Sequence, residues 1–409
     1  MRKEDVIFAE LIAIGTGLKK KSEIVFNEVD LAYIMELGKK HSLQAILYKA
    51  LKSYGALELC DLSLVDKYKK DIFMINFLQK RNETGAVGIF KDLIAGSINF
   101  LALKGILLKK YYPLPELRTM CDIDILVKKE DVESAGNILV QSGYRKCHGE
   151  APHHIQYEKS GYPTVEVHWN IVKSVVLQDE MEEFQKSIWE RTQYTDFHNL
   201  NIKTLGMEDF LLQLLMHMAA HITGGGFGIR QLIDLNLFVK NNLYTINWSM
   251  AEEQCRKTGF YDFACAVFQV SKELFDIKVP IEFEHKKNKN KKYIYNLKKE
   301  IINAGVYGKR DIASSMGNQL AYNYSGKDKS SVSGVAGRFI KFIFPSVSKL
   351  SDKYSYAQKY RILLPVAWIH HFFSGVFIKE YSIKEKLTFL FKAPLVSLRK
   401  NRLLKWLKI

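Results

Sequence analysis

The sequence predicts an α+β protein in which a small mixed sheet lies between two helical regions. Apolar residues recur at spacings of three and four over residues 1–95 and again over 206–409, the period of a helix buried on one face. Residues 96–205 instead contain short apolar runs bounded by glycine and proline, which first alternate with helical segments and then follow one another. We therefore divide the chain into an N-terminal helical region (1–95), a mixed α/β core (96–205) and a C-terminal helical region (206–409).

The composition is that of a globular protein. With 409 residues, 47% of them hydrophobic and 12% aromatic, the chain is long enough for two or three packed units and too apolar to be largely disordered. The five cysteines form no Cys-x-x-Cys pair and are odd in number, which argues against a disulfide framework and structural zinc. We expect a cytoplasmic protein. The most hydrophobic window, Ile362–Phe377, is short for a membrane span, so we expect no transmembrane segment.

The core elements follow from changes of period. Leu43–Tyr48 shows helical spacing in the N-terminal region, whereas Ile98–Leu103 is a short apolar run typical of a buried strand. A helix over Ile106–Tyr112 ends before a proline. The core continues with a strand over Asp122–Lys128, a helix over Lys129–Gly143, and strands over Tyr144–Cys147, His154–Lys159 and Pro163–Ile171.

The C-terminal region returns to helical signals. A long helix is predicted over Met207–His221, where a glycine cluster follows, and another over Ile229–Val239. The basic, polar run His285–Lys292 indicates a solvated loop, and the Ser- and Gly-rich run Asn323–Gly337 a second break.

Two aspartates interrupt one apolar strand. Asp122 and Asp124 alternate with isoleucine, and since strand side chains alternate faces, both carboxylates project from one side. A third acid, Glu166, lies in another apolar strand. If the two strands are neighbours, the three acids form a cluster whose repulsion is relieved by a hard divalent cation, Mg²⁺ or Mn²⁺.

The core resembles a known family. The sequence has Lys104-Gly105 after a strand, Arg118-x-x-x-Asp122-x-Asp124 in the next, and Glu166-x-His168-Trp169 later. This series is similar to that of an uncharacterised bacterial nucleotidyltransferase family within the DNA polymerase β-like superfamily. The resemblance implies that Asp122 and Asp124 bind the metal, that Glu166 is the third acid, and that Gly105 lets backbone amides approach a triphosphate.

Two departures from the superfamily pattern concern the phosphate side of the site. Ile106 follows Gly105 where the superfamily has serine or glycine, and the interval from Gly105 to Asp122 is longer than usual. Lys104 and Arg118 are candidates to contact the nucleotide in place of the missing hydroxyl. The alternatives are a solvated strand-end lysine and an arginine paired with a neighbouring acid.

Several further residues are secondary candidates. His168 shares the face of Glu166, where it orients that acid, contacts nucleotide or serves as a hydrogen-bonded structural residue; the pair His153-His154 lies near the start of a strand in the same sheet. The remaining candidates are two pairs. His217 and His221 are four apart on one helix face, and Arg230 and Asp234 are predicted to form an i,i+4 pair on a lid over the nucleotide site. For the two histidines we weigh a zinc site against hydrogen bonding within the core.

The net charge of +16 is concentrated at the C-terminus. From Arg338 to Ile409 there are fifteen Lys or Arg and three acids, so +12 of the total lies in this tail. Its last segment, Leu398–Lys408, is amphipathic, and we weigh a packed terminal helix against contact with an anionic membrane surface or nucleic acid.

The leading hypothesis is a metal-dependent nucleotidyltransferase that moves an NMP group from an NTP such as ATP to an unknown acceptor: a small molecule, a peptide, a protein or RNA. The alternative is a catalytically degenerate protein that binds nucleotide or a partner, and a third hypothesis makes the basic tail the main functional surface, for RNA or anionic lipid.

Overall fold

The fold is that of a computed structural model. It describes residues 1–147, 153–171, 179–284, 290–305, 337, 340–341, 344–347, 350–376 and 383–409. The contacts divide the chain into two compact units, one of residues 1–220 with 227–306 and one of residues 221–226 with 307–409.

Four helices precede the sheet in the first unit: α1 (Lys3–Gly15), α2 (Leu31–Lys40), α3 (Gln44–Ser53) and α4 (Leu62–Ala95). Aspartates begin two of them. The side chain of Asp30 accepts a hydrogen bond from the Tyr33 N–H at the start of α2, and Asp61 accepts one from the Leu64 N–H at the start of α4. Each satisfies an amide that the first helical turn leaves without a partner.

One mixed sheet follows, with seven strands among the described residues. The strands are β1 (Phe100–Ala102), β2 (Asp122–Val127), β3 (Arg145–Lys146), β4 (His154–Glu158), β5 (Thr164–His168), β6 (Gln193–Phe197) and β7 (Leu200–Thr204). Their order is β3-β4-β5-β2-β1-β7-β6. β2 is parallel to β5 and β1 is parallel to β7, and the other neighbours are antiparallel.

Short helices connect the strands and longer ones follow them. The sequence between β1 and β7 forms α5 (Gly105–Leu108), α6 (Val132–Gln141) and α7 (Asp179–Ser187). After β7 come α8 (Met207–Gly224), α9 (Ile229–Asn241), α10 (Trp248–Lys257), α11 (Tyr261–Phe275) and α12 (Lys291–Ala304).

The predicted α+β class is confirmed, with a mixed sheet amid helices. The β6–β7 hairpin was not predicted, because most residues of Gln193–Phe197 are polar and the strand has no apolar run. Its turn carries His198 and Asn199 at φ 51° and 63°, a left-handed pair typical of a two-residue hairpin turn. In the predicted loop His285–Lys292, residues 285–289 lie outside the described part of the chain, and α12 already begins at Lys291.

The second unit contains helices at Ser355–Lys359, Leu364–Val376 and Ile383–Leu407. A small core joins Leu350, Tyr354, Ala357 and Ala367. In the last helix Leu403 and Leu407 are buried while Arg402 and Lys405 are exposed, as an amphipathic packed helix predicts.

Two predictions concern membrane spans and a break in the C-terminal region. No helix among the described residues is long and apolar enough to cross a membrane. The predicted break Asn323–Gly337 lies outside the described residues except for its last residue. The three-part division of the chain at residues 95 and 205 stays a prediction.

Candidate functional site

The two aspartates of β2 share one face of the sheet. Strand side chains alternate, so Asp122 and Asp124 project from one side, while Ile123 and Ile125, both fully buried, project from the other. Asp124 is buried, with 6% of its surface exposed, whereas Asp122 is exposed at the first position of the strand. β2 thus carries one acid into the protein and keeps a second within reach of solvent.

Glu166 lies directly across from Asp124. β2 and β5 pair in parallel, and these two acids are partners in the register. The two strands are therefore neighbours, which is the condition under which the sequence predicts a three-acid cluster. Since paired strands run about 4.8 Å apart, the carboxylates of Asp122, Asp124 and Glu166 share one patch of the sheet, which we call the acid cluster.

Two basic side chains contact the acid cluster. The Nζ atom of Lys104 lies 3.2 Å from Oδ1 of Asp124, and Nε2 of His168 donates a hydrogen bond to the same oxygen at 2.8 Å. The same Nε2 lies 3.3 Å from Oε2 of Glu166. The Lys104 and Asp124 side chains are only 15% and 7% exposed, so solvent screens their interaction weakly.

These charges set the protonation states. Burial opposes the ionised form of Asp124, but Lys104 and His168 hold its pKa far below the ordinary value. Burial also opposes ionised Glu166, and the hydrogen bond from His168 outweighs it and lowers the pKa of this acid. For Lys104 the carboxylates outweigh burial and raise the pKa. Asp122 differs, because desolvation and then the charge of Asp124 raise its pKa.

The acid cluster has the donor set of a cation site. One oxygen each of Asp124 and Glu166 and one ring nitrogen of His168 lie within 4.8 Å of one another. Carboxylate oxygens are the ligands that Mg²⁺ and Mn²⁺ prefer. The raised pKa of Asp122 reflects desolvation first and then the charge of Asp124, and a divalent cation beside these acids favours the ionised form.

Lys104 has an unusual backbone conformation at the end of β1. Its φ is 36° and its ψ −111°, where L-residues are rare. The turn is held by backbone hydrogen bonds: the N–H of Leu103 donates to the Asp124 carbonyl, and the N–H groups of Leu107 and Leu108 donate to the Lys104 carbonyl. Such strain costs on the order of 1–3 kcal/mol and occurs often at functional sites.

Gly105 is required by the approach of Arg118. A Cβ at position 105 would lie 2.9 Å from Nη1 of Arg118. The other two nitrogens of that guanidinium donate to Asp234, Nε to Oδ1 at 3.0 Å and Nη2 to Oδ2 at 2.9 Å. The Tyr112 hydroxyl donates to Oδ1 of the same carboxylate at 2.7 Å. Tyr112 and Arg118 come from the segment before β2 and Asp234 from α9, all three residues are buried, and Nη1 lies at the Gly105 turn.

The predicted pair between Arg230 and Asp234 is wrong. Asp234 is paired with Arg118, whose two parallel donors match both carboxylate oxygens. Nη1 of Arg230 instead donates to the carbonyl and the Oγ1 of Thr119, at 3.0 Å each. Both arginines therefore hold the segment before β2, and α9 supplies the acid for one of them.

The segment between Tyr111 and Met120, whose course the sequence leaves open, is anchored to α4. The Met120 carbonyl accepts hydrogen bonds from Gln79 Nε2 and Asn82 Nδ2 at 3.0 Å each, and the Met120 N–H donates to Gln79 Oε1 at 2.8 Å. Both amide side chains are buried. These two residues were not predicted from the sequence, since a buried Gln and Asn three apart in a helix give only a weak local signal.

The remaining candidates lie on α8. His217 is close enough to the acid cluster for its charge to lower the pKa of Asp124, together with the nearer Lys104 and His168. Among the described residues, the groups of three metal-ligand side chains are Asp124 with Glu166 and His168, and a separate set of three histidines; neither contains His217 or His221. The zinc hypothesis for these two thus gains no third ligand from the described residues.

The chain belongs to the family described as uncharacterised nucleotidyltransferase, whose model matches residues 27–276. The match covers the sheet, the acid cluster, the Lys104-Gly105 turn and the α9 helix with Asp234. A search of curated proteins found no match. Family membership supports nucleotidyl transfer as the class of activity, with an NTP as substrate.

Proposed function

We propose that the protein is a metal-dependent nucleotidyltransferase of the DNA polymerase β-like superfamily, which moves an NMP group from an NTP to an acceptor. The observation that carries the proposal is the pairing of Asp124 with Glu166 in adjacent parallel strands, with Asp122 on the same face and the Lys104-Gly105 turn beside them. Two acids on one strand and a third from its neighbour are what the resemblance to that superfamily implies.

Asp122, Asp124 and Glu166 would hold Mg²⁺ or Mn²⁺, and a cation held there would supply positive charge to offset the negative charge that develops at the α-phosphorus and on the leaving pyrophosphate. Lys104 supplies a positive charge at the same patch, and the Arg118 guanidinium lies against the buried Gly105 of the turn.

The transfer itself needs one proton acceptor. The acceptor's oxygen attacks the α-phosphorus, the bond from that phosphorus to the bridging oxygen of the β-phosphate breaks, and pyrophosphate leaves. Glu166, which its lowered pKa keeps ionised, takes the acceptor's proton. His168, which donates to Asp124 and lies against Glu166, orients both acids.

The second candidate is a degenerate protein that binds nucleotide without transferring it. One observation favours it: Ile106, buried to 2% exposure, stands where the superfamily has a hydroxyl or a glycine, so no side chain there donates to a phosphate. Calorimetry with each NTP and Mg²⁺, alongside a pyrophosphate-release assay, separates the two. Binding without pyrophosphate release selects the degenerate protein.

The proposal is tested by Asp124→Asn, which keeps the shape of the side chain and removes its charge. The matched control is Asp196→Asn, an exposed aspartate on β6 at the far edge of the same sheet. We expect NTP-dependent pyrophosphate release to fall at least about a hundredfold in Asp124→Asn, because the metal site loses a charged ligand, and to stay unchanged in the control. Equal activity in both variants contradicts the proposed role of the acid cluster.

A further inference from the structure

A second cluster of possible ligands, made only of histidines, lies next to the acid cluster. One ring nitrogen each of His153, His154 and His168 lies within 4.8 Å of the others. The ring centroids of His153 and His154 are 4.5 Å apart, those of His154 and His168 are 4.9 Å apart, and those of His153 and His168 are 6.0 Å apart. We call these three residues the histidine cluster.

Strand pairing brings the three rings together. β4 and β5 are antiparallel, with His154 and His168 as direct partners in the register. The Trp169 N–H donates to the His153 carbonyl at 3.2 Å, which ties the residue before β4 to the end of β5. The histidine cluster therefore sits on hydrogen-bonded backbone of a sheet, which holds ligands in position better than a loop does.

The surroundings leave donor capacity for a ligand. His153 and His168 are buried to 7% and 6% exposure. The Nδ1 atom of His154 is also buried, and no hydrogen bond from the described residues reaches it. A buried nitrogen with an unused lone pair or N–H costs on the order of 1–3 kcal/mol, and coordination of a cation by a lone pair removes that cost.

The donor type decides which cation fits. Neutral imidazole is a ligand of Zn²⁺, Co²⁺ and Ni²⁺, whereas Mg²⁺ prefers oxygen. Ligands of tetrahedral zinc at 2.0–2.1 Å stand about 3.3 Å apart, so the three nitrogens need to close by about 1.5 Å at most.

We propose that His153, His154 and His168 bind a transition-metal cation of the zinc class, with a water molecule as the fourth ligand, at a site distinct in chemistry from the oxygen-rich acid cluster. His168, which donates to Asp124, adjoins both clusters. The site does not depend on the transfer activity, and it holds its cation whether or not the protein transfers nucleotides.

The test uses Co²⁺ as the probe, because its visible absorption reports tetrahedral nitrogen ligation directly. The full chain is freed of metal with EDTA and titrated with Co²⁺ in the presence of a large excess of Mg²⁺. We expect saturable binding with the absorption of tetrahedral Co²⁺, unaffected by the Mg²⁺. His153→Ala and His154→Ala should each weaken Co²⁺ binding at least about tenfold, with far-ultraviolet circular dichroism unchanged.

Three controls make the result specific. His154→Asn serves as a second, more conservative variant should His154→Ala fold poorly, and it should weaken binding equally. His370→Ala, an exposed histidine of the second unit, should bind Co²⁺ like the parent. Asp122→Asn, which alters the acid cluster alone, should also retain Co²⁺.

Four results overturn the proposal. They are an absence of Co²⁺ binding, displacement of Co²⁺ by Mg²⁺, equal Co²⁺ affinity of the parent and the His153 and His154 variants, and a loss in Asp122→Asn as large as in His154→Ala.

Discussion

Removing the Arg118 guanidinium from Asp234 is expected to destabilise the first unit more than removing both side chains together. The carboxylate of Asp234 is 4% exposed and receives both Arg118 donors and the Tyr112 hydroxyl. Arg118→Met deletes two of these three hydrogen bonds and the opposite charge, and leaves an ionisable acid in the protein interior.

The magnitude follows from what each variant leaves behind. Breaking a buried ion pair by removing one partner costs about 3–5 kcal/mol, and because Tyr112 still donates to Asp234 we take about 3 kcal/mol for Arg118→Met. Asp234→Leu leaves the buried guanidinium without its carboxylate partner and costs about as much free energy of unfolding. In the double variant neither charge remains, and the loss is that of the Tyr112 hydrogen bond, about 2 kcal/mol. Additive effects would give about 6 kcal/mol, so the predicted coupling is about 4 kcal/mol.

The assay is urea unfolding of the parent, both single variants and the double variant, which closes a double-mutant cycle. Tyr112→Phe is a useful control, since it removes one hydrogen bond and no charge and should cost about 1–2 kcal/mol. Coupling between Arg118 and Asp234 below about 1 kcal/mol would refute the reasoning that the pair is a buried unit that joins the segment before β2 to α9.

Two further predictions concern close packing and pH. Gly105→Ala is expected to lower the free energy of unfolding by about 1–3 kcal/mol, because its Cβ meets Arg118 Nη1 at 2.9 Å and that guanidinium is held by its other contacts. Gly88→Ala on α4, where the new Cβ meets nothing within 4 Å, should be neutral or stabilising in the same urea assay. Equal losses in both variants would contradict the packing argument. His41 accepts from the Ile229 N–H at Nδ1 and donates from Nε2 to the Ile302 carbonyl, and burial first, then nearby positive charge, lowers its pKa from 6.5 to about 4. The stability that neutral His41 contributes is complete above pH 6.5 and is lost as the pH falls towards 4, because only the unfolded chain takes up the proton in that window. The loss amounts to about 3 kcal/mol. Urea unfolding at pH 7 and pH 4 should show this difference in the parent and not in His41→Gln, and the same pH dependence in both proteins would contradict this role of His41.

The parts of the molecule that the sequence predicted are those with local signals. The alternation of Asp122 and Asp124 with isoleucine predicts a strand with two acids on one face, and the structure has that strand and places Glu166 beside it. The helix over Met207–His221 was also predictable, since its apolar period is long and a glycine cluster follows it.

The parts that were not predicted depend on contacts between distant positions. Arg118 and Asp234 are 116 residues apart, and the i,i+4 spacing of Arg230 and Asp234 suggested a pair that tertiary packing replaces. The β6–β7 hairpin was not predicted because its strands are polar on the exposed face, although His198-Asn199 could have indicated a two-residue hairpin turn. The spacing of residues along a helix does not determine which arginine pairs with the buried Asp234.

The central claim is that the acid cluster transfers the NMP part of an NTP to an acceptor. The most direct measurement incubates the parent and Asp124→Asn with Mg²⁺, an extract of the source cells as the supply of acceptors, and each of the four NTPs labelled either on the α- or on the γ-phosphorus. The account predicts that the parent attaches the α-label of at least one NTP to an acceptor while the γ-label leaves in pyrophosphate, and that Asp124→Asn attaches neither. Attachment of the γ-label, or equal α-labelling by the folded Asp124→Asn variant, would contradict it.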